Sequence, residues 1–175
     1  MILDNLLTFD LNSTITVVGG TQASANVLDL HIINGGLPVL SNNQGARDIG
    51  IGDDPAMKIL VVVTTAFSGG TSMSVAFQGA TDNGSGVPNA FTTWYTTPVY
   101  TTAQLVLGAR LMDMDVPRPP AAVAVPRFLR LLYTTVGAAT GVVGSYLVLD
   151  RDDQMYQGTG NQNYGGYPAG VTVAN

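Results

Sequence analysis

Short apolar runs broken by Gly, Asn, Asp and Pro fill this chain, and their period is two or none rather than 3.6. The clearest alternation covers 71–78: Met73, Val75 and Phe77 face one way, Ser72, Ser74 and Ala76 the other. That pattern marks a half-buried antiparallel strand. Eight strands are predicted, at 14–18, 27–33, 59–66, 71–78, 91–97, 103–110, 128–134 and 142–149. The last two are apolar on both faces and should lie centrally in their sheets. Residues 128–132 also fit a helical turn, but Pro126 before them and Tyr133-Thr134-Thr135 after them favour a strand. Phe67-Ser68-Gly69-Gly70 reads as a hairpin, because Gly supplies positive φ. Residues 34–55 form a Gly/Asn/Asp stretch with an apolar insert at 37–40. Residues 116–126 hold Pro117, Pro119, Pro120 and Pro126, which cannot donate in a sheet, so this connection is expected to run extended over the surface.

Three regions follow. Residues 1–12 open with Ile2, Leu3, Leu6, Leu7 and Phe9, apolar on several sides, and suit a short helix or an arm laid over a neighbour. Residues 13–149 carry the strands. Residues 150–175 are rich in Gly, Asn, Gln and Tyr and cannot bury enough apolar area to order alone. Tyr156, Tyr164 and Tyr167 would anchor this second arm in a partner's pockets. Strands, Gly-rich turns and one core predict an all-β protein, a jelly-roll sandwich with N- and C-terminal arms; an immunoglobulin-like sandwich is the second architecture.

Composition sharpens this picture. All 12 acidic residues are Asp, there is one Lys and one His, and Cys is absent. Charged residues make up 11% of the 175. So sparse a charge suits a surface covered by other subunits, since interface cores are depleted in charge. A net charge of −5 with scattered basic residues excludes sequence-independent nucleic-acid binding and disfavours an anionic membrane. The start lacks a basic region and an uninterrupted apolar run, so synthesis in a cytoplasm without secretion is expected.

Few residues offer chemistry. His31 near Asp29 has no nucleophile elbow to serve, and a hydrogen-bonded structural role is its default. Asp53-Asp54, Asp113/Asp115 and Asp150-Arg151-Asp152-Asp153 are carboxylate clusters in predicted loops, where Asp commonly caps turns; Ca²⁺ is the alternative occupant. The Gly pairs lack a phosphate-loop pattern. Trp94 or Tyr95 with Tyr100 could stack a sugar, although core packing explains the same rings. No catalytic residue, metal or cofactor is expected.

The opening MILDNLLTFD, the segment Ala46-Arg47-Asp48-Ile49-Gly50-Ile51-Gly52, and Arg127-Phe128-Leu129-Arg130-Leu131-Leu132-Tyr133-Thr134 together resemble the capsid cement (decoration) proteins of tailed phages. The resemblance extends to about Leu149; the 37–43 insert, the Pro-rich connection and the C-terminal tail depart from it. It implies a jelly roll on the outside of an icosahedral head in the virion, made in the host cytoplasm. The partners would be the major capsid protein and a second copy, as a homodimer or a trimer. Expected contact residues are Ile2, Leu3, Leu6, Leu7 and Phe9, the Arg47–Asp48 pair, and Tyr156, Tyr164 and Tyr167. A carbohydrate-binding module of a fibre or head surface is the alternative.

Overall fold

The computed structural model describes residues 7–30, 57–121, 123–124 and 126–148. The strands are β1 Thr8–Ile15, β2 Val18–Ala23, β3 Leu28–Asp29, β4 Lys58–Ser68, β5 Ser72–Ala80, β6 Thr92–Thr96, β7 Tyr100–Thr101, β8 Arg110–Asp115, β9 Phe128–Ala138 and β10 Thr140–Val148. One sheet runs β1-β10-β4-β8; the other runs β2-β9-β5-β6, with β3 on β9 and β7 on β5. Every pairing is antiparallel. The sheets pack face to face as a sandwich around one main core, with Ile59, Val61, Val63 and Val143 from one sheet and Val75, Phe77, Leu129, Leu131 and Tyr133 from the other all fully buried.

The two doubly apolar strands are central, as their composition requires: β9 lies between β2 and β5, and β10 between β1 and β4. Met73, Val75 and Phe77 point into the core as the alternation predicts. The other face of β5 is less open than expected, with Ala76 8% and Gln78 6% exposed. Gln78 sits between neighbours on adjacent strands: Arg130 Nε donates to its Oε1 at 2.8 Å, and its Nε2 donates to Thr93 Oγ1 at 2.9 Å.

Three predicted boundaries change. Residues 8–11 are not an arm but the first half of β1, whose backbone pairs with β10. Two register shifts bulge this strand, so that consecutive Phe9 and Asp10 are both buried, at 0% and 1% exposure. The predicted strand at 14–18 spans the end of β1, the crossing between sheets and the first residue of β2, a strand its exposed VGGTQA sequence did not announce. The predicted strand at 103–110 is instead a 3₁₀ turn at Thr102–Gln104 and a loop, with β8 beginning only at Arg110. Leu105 is still fully buried, because its carbonyl accepts from the Phe67 amide while positive φ at Gly108 (85°) turns the chain.

At one end, the β4–β5 and β9–β10 hairpins touch backbone to backbone. Gly70 has φ +65°, and a Cβ there would lie 2.6 Å from the Ala139 methyl and 2.8 Å from its nitrogen. Gly70→Ala therefore combines left-handed strain with a steric clash and should cost about 2–4 kcal/mol, read from the urea unfolding midpoint.

Candidate functional site

His31, Arg47, Asp48, Asp53 and Asp54 lie outside the described residues, as do Ile2, Leu3, Leu6, Tyr156, Tyr164, Tyr167 and the 150–153 cluster. Among the expected contact residues, Leu7 is half-buried against the core. Phe9 is wholly inside, its ring edge-on to Phe77 at 6.3 Å. It serves the fold, since the bulge in β1 turns it between the sheets.

The Asp113/Asp115 pair, expected in a loop, lies instead on strand β8, where each carboxylate meets a cation. Asp113 accepts from Arg110 at 2.9 Å and Asp115 from Lys58 at 2.5 Å, both pairs partly exposed. Such pairs contribute little, on the order of 0–1 kcal/mol. Among the described residues no three His, Cys, Asp or Glu side chains converge as metal ligands.

The aromatic platform is not assembled. A register shift between Phe77 and Gln78 makes Trp94 the extra residue of β6, and both Trp94 and Tyr95 pack on the core. The Trp94 ring stands edge-on to Phe77 at 5.5 Å and covers Gly79, where a Cβ would lie 2.2 Å from it. Tyr100 turns its hydroxyl inward to donate to the Leu111 carbonyl at 2.9 Å. Beside Trp94, a cavity of about 50 Å³ is lined by Gly79, Ala80, Thr92, Val123 and Pro126, room for a few waters at most.

Two polar constellations went unnoticed in the sequence. In the first, Tyr133 from one sheet and Ser145 from the other both donate to Asp10 Oδ2 at 2.6 Å, and the Ala25 amide donates to Oδ1 at 2.8 Å. All three side chains are buried: Asp10 at 1% exposure, Tyr133 and Ser145 at 0%. A substrate cannot reach this serine, so the set is a structural node despite its acid–hydroxyl chemistry. Desolvation, then the charge and hydrogen bond of Asp10, push the Tyr133 phenol well above its ordinary 10.0. Burial also raises Tyr100 and Tyr146.

In the second, Arg127 grips Asp29 bidentately, Nε to Oδ1 and Nη2 to Oδ2, both at 2.9 Å, and its Nη1 reaches Asp82 Oδ2. Asp82 also accepts from the Gly84 and Gly86 amides at 3.0 and 2.8 Å, closing its own turn. Desolvation would raise the Asp82 carboxyl, but the Gly86 amide, Arg127 and the Gly84 amide outweigh it and hold the group below 3.8. Separations of 98 and 45 residues hide this cluster from any local pattern.

Among the described residues, the carboxylates are buried in the Asp10 node or engaged in ion pairs, and the class the fold defines is an all-β sandwich of two antiparallel sheets. The chain itself is a member of the Bbp16 family, a phage-associated family whose model matches residues 12–147. No curated protein matches it.

Tyr133→Phe leaves Asp10 Oδ2 with Ser145 as its side-chain donor and should cost about 1–3 kcal/mol by urea unfolding. With raised phenols, stability is complete below pH 10 and falls as pH rises beyond it, because the unfolded chain releases protons that the fold retains. At the acid end, the Asp82 contribution is complete above the carboxylate range and disappears as pH drops through 3.8 and below. Asp82→Asn should therefore lower stability at pH 7 and flatten the acid limb of a thermal-melting profile against pH.

Proposed function

We propose that this protein is a structural cement (decoration) protein of a phage head, a non-enzymatic component of the virion. In this reading it is made in the host cytoplasm, sits on the outer capsid surface, bridges major capsid protein subunits and pairs with a second copy of itself. The observation that carries it is membership of the phage-associated Bbp16 family over residues 12–147, together with the sequence resemblance to cement proteins.

The topology supports the same reading. Leaving aside the two-residue strands β3 and β7, eight strands remain. The first pairs with the last, β2 with β9, β4 with β8, and β5 with β6. That nesting is how one long antiparallel ribbon rolls into a jelly roll of two four-stranded sheets, and we assign the fold to that type. It makes a stiff block, since the four central strands, β4, β5, β9 and β10, are each tied on both sides.

Cementing needs stiffness and contact area, not turnover. A protein that binds only the assembled shell stabilises that shell by linkage. Many copies, each spanning two capsomers, turn modest contacts into high effective affinity. Each contact should bury more than about 1,000 Å² to persist. The terminal stretches 1–6 and 150–175 supply the bridging contacts in this proposal. The inward-turned Trp94 and Tyr100 give no support to the carbohydrate alternative.

Co-sedimentation with undecorated, expanded heads tests the function. Saturable binding at a fixed ratio to capsid subunits is expected; absence of binding to the cognate shell would refute it. Removing 150–175 should weaken shell binding more than about tenfold while leaving the unfolding midpoint nearly unchanged.

A further inference from the structure

Arg130 is the one charged residue in the four strands β2, β9, β5 and β6. Its alternation with the buried Leu129 and Leu131 sets it on the outer face of that sheet, away from the core. Directly paired residues share a face, so Gln78 and Thr93 stand beside it on β5 and β6. The next row along the same face is Leu132, Ala76 and Thr96. Leu132 is half-buried and Thr96 exposed.

The guanidinium is held in place before any partner arrives. It lies over the Phe91 ring, 3.8 Å from its centre. Its Nε donates to Gln78 Oε1 at 2.8 Å, and Gln78 Nε2 in turn donates to Thr93 Oγ1 at 2.9 Å, so one chain of contacts fixes it across three strands. Other cations of this acidic chain hold a carboxylate: Arg127 holds Asp29 and Asp82, Arg110 holds Asp113, and Lys58 holds Asp115. Arg130 has no carboxylate among the described residues, and its two Nη groups keep hydrogen-bonding capacity that the fold does not use. Burial without a facing acid pulls its pKa below the ordinary guanidinium value.

We infer that this outer face is a docking surface for a protein partner, one of whose carboxylates closes on the two Nη groups of Arg130. Charge selects the occupant. An uncharged partner would bury the guanidinium without compensation, which costs more than the contact returns. A nucleic-acid backbone needs several clustered cations, and these four strands carry one in a chain of net charge −5. A carboxylate matches the planar guanidinium with two parallel hydrogen bonds. Its surroundings favour a protein surface as the source: short Thr and Ala side chains around Leu132 give flat, uncharged contact area, and Arg in such a setting is a frequent centre of binding energy. The clamp by Phe91 and Gln78 lowers the entropy lost on docking. That the partner is the capsid shell rests on the function proposed above; the surface and its carboxylate chemistry are the new element.

Two measurements on the full chain test this. The first needs no shell. The Arg130 Nε–H, held by Gln78, is followed by proton–nitrogen NMR while sodium acetate is added against sodium chloride of equal ionic strength. A saturable shift with acetate is expected at Arg130, and none at Arg127, whose fork is already filled by Asp29. An Arg130 signal that responds to acetate no more than to chloride would overturn the proposal. The second is co-sedimentation with undecorated, expanded heads. Arg130→Gln should weaken binding at least about thirtyfold, and Arg130→Lys, which keeps the charge but loses the fork, about tenfold. Thr96→Glu leaves Arg130 and its clamp untouched, sets a like charge on the same exposed face, and should weaken binding about tenfold. Val106→Glu makes the same change in net charge on the loop beside β4 of the other sheet and should leave binding unchanged. Head binding indifferent to the Arg130 and Thr96 substitutions would overturn the docking surface and leave an adventitious ion only. So would an equal loss with Val106→Glu, which would assign the effect to net charge. Wild-type chain that takes acetate at Arg130 yet fails to bind heads would refute the cement function while leaving the carboxylate site standing.

Discussion

A buried carboxylate that must be satisfied organises this sandwich. The bulges in β1 force Asp10 inward beside Phe9, at 1% exposure. An unpaired charge at such a depth would cost several kcal/mol. It is matched by donors from three places: Tyr133 on the facing sheet, Ser145 on the adjacent strand, and the Ala25 amide in the connection from β2 to β3. A slip of β1 or β9 by one residue would turn the acceptor or a donor to the wrong face. The node therefore specifies register more than it adds stability, because well-packed apolar groups could fill the same space at comparable energy. Neighbouring polar contacts extend it. Ser24 Oγ accepts from the Leu131 amide and donates to the Asn26 carbonyl, and Asn26 Nδ2 donates to the Thr8 carbonyl.

With the centre held this way, the two ends specialise. One end closes on the glycine hairpins, whose backbones are in direct contact. The other closes on Arg127, Asp29 and Asp82, whose cluster ties β3, the turn after β5 and the start of β9. The same Arg127 guanidinium lies 4.9 Å from the Phe128 ring centre, so it covers apolar surface as well as pairing charge.

Of the candidate chemistry, the parts that a local pattern can show were legible: a chain poor in nucleophiles and bases, and aromatic residues whose core packing rivalled a platform role. Trp94 illustrates the limit. A strand pattern sends Trp94 and Tyr95 to opposite faces, yet the β6 bulge packs both on the core, and the absent side chain of Gly79 makes room for the indole. Nothing near Asp10 in the sequence signals that Tyr133 and Ser145 wait for it more than 120 residues on.

The all-β class, the central positions of β9 and β10, the core-facing set Met73, Val75 and Phe77 and the scarcity of charge were legible in the residues alone, because period and composition are local properties. That residues 8–11 are a strand and 103–109 are not became visible only once the chain was folded. Those outcomes rest on backbone hydrogen bonds that period and composition do not show. The β10 backbone gives β1 its partner, while the Leu105 amide bonds the Thr102 carbonyl and the Ala109 amide the Val106 carbonyl, so 102–109 turns instead of extending.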